Sequence, residues 1–410
     1  MYDYPLLWEW LSFAVRWLHV ITAIAWIGSS FYFIALDLGL VQRPGLPVGA
    51  YGEEWQVHGG GFYHIQKYLV APERLPEHLT WFKWESYATW LSGFALLAIV
   101  YYGGADLYLV DHEIAEITNS VAIALSIGSL GLGWVLYNLL CKSKLGNNST
   151  LLLFILFCCL FFLSWFYTSI FSGRAAFLHL GAFTATIMTA NVFFIIIPNQ
   201  KIVVADLKEG KVPDPTYGVI AKQRSTHNNY LTLPVIFFML SNHYPLAFAA
   251  ELNWAIAPLV FLLGVSIRHF FNVYHSQGRK LYWTWALSLL FFLIIIGLST
   301  FRSPNLDLAK TKQDIPNIEF ENVIGLPEEV FDVVSARCSM CHSREPLWDG
   351  FIHPPKGFII ENEYDIIKQA KQIYIHSGIS RSMPPNNISY MEDTERLMIQ
   401  AWFENIEKEN

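Results

Sequence analysis

The sequence predicts an all-α protein, a polytopic bundle of eight transmembrane helices followed by a small soluble all-α domain. Three observations predict it. Apolar residues make up 53% of the 410 residues and charged residues only 15%, against roughly 25% charged in ordinary soluble domains. Mean hydropathy is +0.34. The charge is also divided: residues 1–302 carry 17 Lys and Arg against 16 Asp and Glu, whereas residues 303–410 carry 10 against 18, a net −8. A near-neutral apolar body thus precedes an acidic soluble segment. Without a basic cluster to neutralise phosphates, nucleic-acid binding is excluded. Cys141, Cys158 and Cys159 lie in or beside apolar runs, so no disulfide framework is expected.

A bilayer is crossed by about 20 apolar residues. Eight segments qualify: Trp10–Leu36, Trp81–Tyr102, Thr118–Leu140, Leu151–Ile170, Ala175–Ile197, Tyr230–Pro245, Trp254–Tyr274 and Leu281–Phe301. The sixth is the shortest and contains Pro234. The first is too long, with too polar an exit, for a signal-peptide core and reads as a retained helix. Basic residues collect in the odd-numbered loops, among them Arg43, Lys67, Arg74, Lys142, Lys201, Lys222 and Arg224. The N-terminal tail and the even-numbered loops hold Arg174 alone. By the positive-inside rule the odd loops are cytoplasmic and both termini lie outside. An even number of spans then carries the C-terminal segment across the membrane, to the periplasm in a Gram-negative cell. The expected divisions are a bundle over 1–302, a Pro-dotted linker over 303–324 and a soluble domain over 325–410.

That soluble domain contains Cys338-Ser339-Met340-Cys341-His342. C-x-x-C-H is the attachment site of a c-type haem, two thiols bonding the vinyl groups and the histidine binding iron. Met383, 41 residues after His342 in the proline-stiffened "SRSMPPNN", is the expected sixth ligand. His353 and His376 remain alternatives, while Met391 and Met398 are read as core residues of a final helix. The net negative charge suits docking to a basic electron-transfer partner.

Ionisable residues within spans tend to be functional or to face the bundle interior. Arg16 and His19 stand one turn apart on the first span. "WLHVITAIAWIGSSFYFIALD" aligns with "FLHLGAFTATIMTANVFFIIIPN" of the fifth on His19 and His179, which suggests a 4+4 repeat. Two imidazoles from facing helices suit an intramembrane b-type haem, with Arg16 on a propionate or an anionic substrate. A polar hydrogen bond between helices is the alternative for either histidine. Arg268 and His269 form another candidate pair. Two cytoplasmic loops are dense in polar chemistry. The first holds His58, Gly59-Gly60-Gly61, His64, Gln66 and Lys67; the fifth holds Gln223, Arg224, His227 and Asn228. The glycines suggest close backbone approach, and the polar and aromatic residues suit a planar heterocycle.

The stretches "WLHVITAIAWIGSSFYFIALD", "WQVHGGGFYHIQKYLVAPERLPEHLTWFKWE", "IIPNQ", "KQRSTHNNYLTLP" and "SNHYP", followed by C-x-x-C-H, resemble the membrane-bound cytochrome c urate oxidase (urate hydroxylase) family along essentially the whole chain. The resemblance implies an eight-helix membrane domain fused to cytochrome c. It implies oxidation of urate to 5-hydroxyisourate in purine breakdown, with electrons passed to haem rather than dioxygen and onward to a periplasmic or membrane acceptor of a respiratory chain. It also implies a bacterial inner-membrane location. "LHVITAIAWIG" is further similar to helices of membrane haem proteins such as the protoporphyrinogen-oxidising family, which favours His19 as a haem ligand. The inferred substrate or catalytic residues are His64, Gln66, Lys67, Gln223, Arg224, His227 and Asn228. Urate at the cytoplasmic loops would need a relay on His19 and His179, because about 30 Å of hydrocarbon intervenes; urate near Arg16, His19, His179 and His243 would need none. Topology favours the first layout. Rival classes are a quinol- or porphyrinogen-oxidising cytochrome, and a haem-bearing transporter or sensor.

Overall fold

The structure, a computed structural model, describes residues 4–68, 75–300, 326–348 and 351–409. The expected linker and Arg74 lie outside the described residues. The bundle begins with α1 (Tyr4–Gly39), then α2 (Trp84–Leu96) with a π-helical turn at Leu97–Tyr102, and the short α3 (Ala105–Tyr108). It continues with α4 (Asn119–Lys142), α5 (Ser149–Thr168), and α6 (Gly173–Ala190) with a π-helical turn at Asn191–Ile196 leading into α7 (Ile197–Lys208). α8 (Pro215–Ser241), the short α9 (Pro245–Phe248), α10 (Asn253–Gln277) and α11 (Trp283–Thr300) complete it.

Local chemistry sets several starts. Thr118, Asn148 and Ser172 each accept from the third following backbone N–H, capping α4, α5 and α6. Asp214 caps α8 with Pro215 at its first position, where a missing N–H costs nothing. α6 is the central helix. It packs on α4, α5 and α8, and Ala175, Ala176, Phe177, His179 and Leu180 are fully buried. The outer helices instead expose large apolar side chains, such as Trp17 and Ile24 on α1, Phe154 and Phe162 on α5, and Leu289 and Leu293 on α11. Apolar surface of that extent is compatible with contact to lipid.

Among the described residues, six helices are long and apolar enough to cross a membrane: Leu6–Gly39, Asn119–Lys142, Thr150–Thr168, Gly173–Lys208, Asn253–Gln277 and Trp283–Thr300. The second and sixth expected spans are also helical. However, α2 has only 13 residues before its π turn, and α8 carries Lys222, Arg224 and a run of polar residues.

Two expectations are corrected. The chain is not wholly α: Ala50–His58 (β1) and Gly61–Tyr68 (β2) form an antiparallel hairpin. Gly59 and Gly60 take φ of 59° and 81° in its two-residue turn, as a primed turn demands. A Cβ at either would meet nothing within 4 Å, so those glycines serve turn geometry and not close approach. Likewise Gln223, Arg224, His227 and Asn228 lie on helix α8 and not in a loop. The two helices aligned for the suggested 4+4 repeat differ in their surroundings: α1 lies at the edge against α2 and α10, while α6 is enclosed.

The C-terminal module comprises α12 (Glu328–His342), α13 (Glu363–Lys368), α14 (Ala370–Ile373) running into a π turn at Tyr374–Ile379, and α15 (Asp393–Glu409). Val330, Val334, Ile366, Ile399 and Trp402 form its core. Met391 and Met398 join that core, Met391 from just before α15. Arg337 grips the Glu395 carboxylate at 2.9–3.1 Å, joining α12 to α15. The module rests on the end of the bundle where α1 begins. Asn386 Nδ2 donates to the carbonyls of Val110 (2.6 Å) and Asp106 (3.2 Å), and Asn387 Nδ2 to Glu113 (2.6 Å).

The crossing of α8 and α10 depends on Gly264, where an added Cβ would lie 2.6 Å from the Pro234 ring. Gly264→Ala should therefore cost about 1–3 kcal/mol by overpacking and lower the thermal midpoint in detergent. An unchanged midpoint would mean that the crossing has slack.

Candidate functional site

The last turn of α12 delivers three candidate groups. Cys338 and Cys341 are three residues apart and share a face. Both thiols are free. Burial pushes the Cys338 thiol up to about 12 and raises Cys341 as well, so both remain protonated near neutrality. His342 Nδ1 stands 2.8 Å from the Phe358 carbonyl. A carbonyl only accepts, so Nδ1 carries the proton and Nε2 keeps its lone pair, as in metal-ligating imidazoles. Burial lowers the His342 pKa, with the Phe358 carbonyl opposing, and favours that neutral ring. The Met383 backbone is fixed at both polar atoms: its N–H donates to the His376 carbonyl (2.9 Å) and its carbonyl accepts from Arg396 (2.8 Å).

Cys338, Cys341, His342 and Met383 line one wall of a cavity of ≈ 1320 Å³. Small-molecule pockets run to roughly 300–1,000 Å³, so the space exceeds one such ligand. The far wall belongs to the bundle and includes Arg16, His19, Arg174 and His243. The cavity therefore passes from the module into the helices. His353 and His376 also line it on the module side; His376 Nδ1 lies 3.2 Å from Ser382 Oγ.

His19 is held as His342 is. Its Nδ1 lies 3.0 Å from the Thr89 carbonyl and 3.1 Å from Ser92 Oγ. The proton thus sits on Nδ1, and Nε2 has no hydrogen bond among the described residues. Gly93 makes room for the ring, since a Cβ there would lie 2.8 Å from His19 Cε1. Ala23, Ala182 and Ala185 also line the cavity, small side chains that take up little of its space. This donor set fits the groups expected from the sequence: two thiols with an imidazole and a thioether on the module, and a second free imidazole in the bundle.

His179 does not share that space. It is fully buried, with Nδ1 2.7 Å from the Ala175 carbonyl and Nε2 2.7 Å from Ser126 Oγ. Tyr101, Tyr167 and Phe171 surround the ring. With both nitrogens hydrogen-bonded, His179 makes the polar bond between helices that is the alternative for it, and the structure does not bring it into the cavity that His19 lines.

The cytoplasmic candidates separate into two groups. On the hairpin, His64 contacts Glu53 and stacks on Trp55 (4.2 Å), Lys67 pairs with Asp37 (2.6 Å), and Gln66 accepts from Tyr68 (3.2 Å). No hydrogen bond, ion pair or ring contact joins the hairpin to α8 among the described residues, so the expected convergence is not found. On α8, Arg224, His227 and Asn228 meet residues of α4 and of the π turn after α6. Arg224 donates to Asn138 (2.9 Å) and lies over the Tyr137 ring at 4.9 Å. Tyr137 Oη contacts His227 Nδ1 (2.8 Å) and Asn191 Nδ2 (3.1 Å), and Asn191 Nδ2 also reaches Asn228 (3.0 Å). Gln223 donates to the Gly146 carbonyl (3.0 Å). Arg268 lies over Phe31 at 4.4 Å, and His269 meets the Tyr230 hydroxyl (3.0 Å).

Sequence reasoning missed Thr89 and Gly93 behind His19, Phe358 behind His342, and Arg174, Tyr137, Asn138 and Asn191. Single polar residues in apolar spans were the available signal for the last three.

Fold and site define a mostly helical chain, compatible with a multi-pass membrane protein, in which a histidine-bearing cavity reaches from a terminal module into the bundle. The profile of the urate oxidase N-terminal family matches residues 5–299, and the chain belongs to that family. The matched region covers the bundle and ends before the module. No characterised protein and no solved structure gives a match.

Burial lowers the His376 pKa, helped by the positive charges of Lys356 and Arg174. The unfolded chain, with histidines near 6.5, then binds protons that the native module does not. Stability is full above about pH 6.5 and falls as the pH drops toward the depressed native value. A melting midpoint that declines from pH 7 to pH 5, and declines less in His376→Asn, is the expected result.

Proposed function

We propose that the protein oxidises urate to 5-hydroxyisourate and passes the electrons to a c-type haem on its own C-terminal module. The observation that carries this reading is the cavity joining Cys338, Cys341, His342 and Met383 to His19, in a chain of the urate oxidase N-terminal family. In the topology we favour, α2 and α8 are the second and sixth of eight spans. The module and the N-terminus then face the periplasm of a bacterial inner membrane, and residues 303–324 link the module to α11.

Cys338 and Cys341 would form the thioethers, His342 Nε2 and the Met383 thioether would bind the iron, and the free His19 Nε2 would hold a second haem of b type. Bound there, haem supplies an acceptor that takes electrons one at a time. The chain's own residues do the rest. The Phe358 and Thr89 carbonyls hold the two imidazoles in the ligating tautomer. Arg16 and Arg174 place positive charge on the cavity wall for carboxylates or a substrate anion. The reaction balances as urate plus water giving 5-hydroxyisourate, two protons and two electrons. The C4–C5 double bond is lost and a C5–O bond to water forms, so dioxygen is not consumed. The negative charge of the module suits release of electrons to a basic partner of a respiratory chain.

The test is anaerobic addition of urate to oxidised, detergent-solubilised protein. Reduction of a c-type absorption band with formation of 5-hydroxyisourate is expected; Cys338→Ala or Cys341→Ala should abolish covalent haem, and Met383→Ala should keep it but shift its potential. A silent spectrum, in protein that a quinol analogue still reduces, would replace urate by a quinol-type donor.

A further inference from the structure

The end of the bundle opposite the module contains a buried cation that the fold leaves uncompensated. Arg224 is 1% exposed. Its hydrogen bond to Asn138 uses Nη2 alone, and Nε and Nη1 are buried without a partner. No carboxylate pairs with it among the described residues. A guanidinium removed from water without an anion is costly, and native proteins avoid it by pairing the charge. Stacking on the Tyr137 ring compensates only in part.

The groups around it narrow what the missing anion is. Asn191 Oδ1 is also buried and unpartnered, so the site needs a donor as well as a negative charge. Asn191 Nδ2 donates to Tyr137 Oη, which directs the tyrosine's own proton to His227 Nδ1. His227 then carries its proton on Nε2, which has no hydrogen bond among the described residues and is a further donor. The site thus presents guanidinium and imidazole donors with one amide acceptor, on an aromatic floor. An ionised carboxylate, which only accepts, would leave the Asn191 oxygen unmet. A planar heterocyclic monoanion with ring N–H groups and carbonyl oxygens would meet all of them.

We propose that Arg224, Tyr137, Asn191 and His227 form the recognition site for such a ligand, and that the ligand is urate, the substrate of the proposed reaction. The identification with urate rests on that reading; the anion site does not. Asn191 opens a π-helical turn, a local irregularity that recurs at functional sites. The site also lies close below the cavity. Thr186 lines the cavity, and Asn191 is five residues further on, roughly 7–8 Å along the helix. An electron donor here is therefore near the His19 cavity and not a full membrane thickness of about 30 Å from the module.

The experiment measures equilibrium binding of labelled urate to the full-length protein, reduced beforehand so that no turnover occurs. Saturable binding is expected, weakened about ten- to a hundredfold in Arg224→Gln, the range for losing a charged hydrogen bond. Asn191→Asp provides an independent arm: it supplies a carboxylate beside the same tyrosine, and should lose urate binding while raising the melting midpoint. Urate bound as tightly by both variants, with binding lost in Arg16→Gln or Arg174→Gln, would overturn this site and leave urate oxidation standing. Absence of urate binding in the parent, with binding of orotate that Arg224→Gln abolishes, would keep the anion site and remove urate as its ligand. Orotate and urate both unbound by the parent would overturn the site itself.

Discussion

Two asparagines hold the account together. Asn386 and Asn387 follow Met383 after two prolines and donate to Val110, Asp106 and Glu113 at the end of the bundle. The loop that carries the candidate axial thioether is therefore the loop that docks the module. Because it docks there, the wall formed by Cys338, Cys341 and His342 faces Arg16, Arg174 and His243 across one continuous space. The hydrogen bonds to Val110 and Asp106 use backbone carbonyls, which substitution of those side chains does not remove.

His19 and His179 show how a hydrogen-bond inventory separates roles that a motif equates. Each sits in the same aromatic-Leu-His context. His19 donates from Nδ1 to a neighbouring helix, lines the cavity, and has no hydrogen bond at Nε2 among the described residues. His179 donates to its own helix and accepts from Ser126, which uses both nitrogens. The difference follows from location. An edge helix beside a glycine leaves a cavity next to its imidazole, whereas a central helix encloses its own in aromatic rings.

Much of the architecture was legible in the sequence because lipid imposes a coarse rule, about twenty apolar residues per crossing, and every segment so marked is helical. C-x-x-C-H was legible because three ligating groups are adjacent in the chain. The hairpin was legible and overlooked. A two-glycine turn between Glu53-Glu54-Trp55 and the aromatic stretch Phe62-Tyr63-His64 is a hairpin signal, masked by the expectation that a polar connector is irregular. The polar start of α8 was read as loop for a related reason: its donors face inward to α4 and the π turn, so the helix carries no apolar stripe there. The Phe358 and Thr89 carbonyls were beyond reach, since any residue supplies a carbonyl and only the fold says where it points.

In the proposed function the bundle would have two working levels: a polar, cationic site on α8 that would bind the substrate, and a cavity above it through which electrons would reach the module. Among the described residues, His19 is the only histidine of the bundle body that lines that cavity with its Nδ1 held by the neighbouring helix, so it is the most direct test of the connection. We would mix urate anaerobically with oxidised His19→Ala protein and follow the c-type band in a single turnover beside the parent. Reduction slowed by orders of magnitude, with the band still fully reducible by dithionite, is the predicted result. Reduction at the parent rate would contradict the account and place the electron path elsewhere.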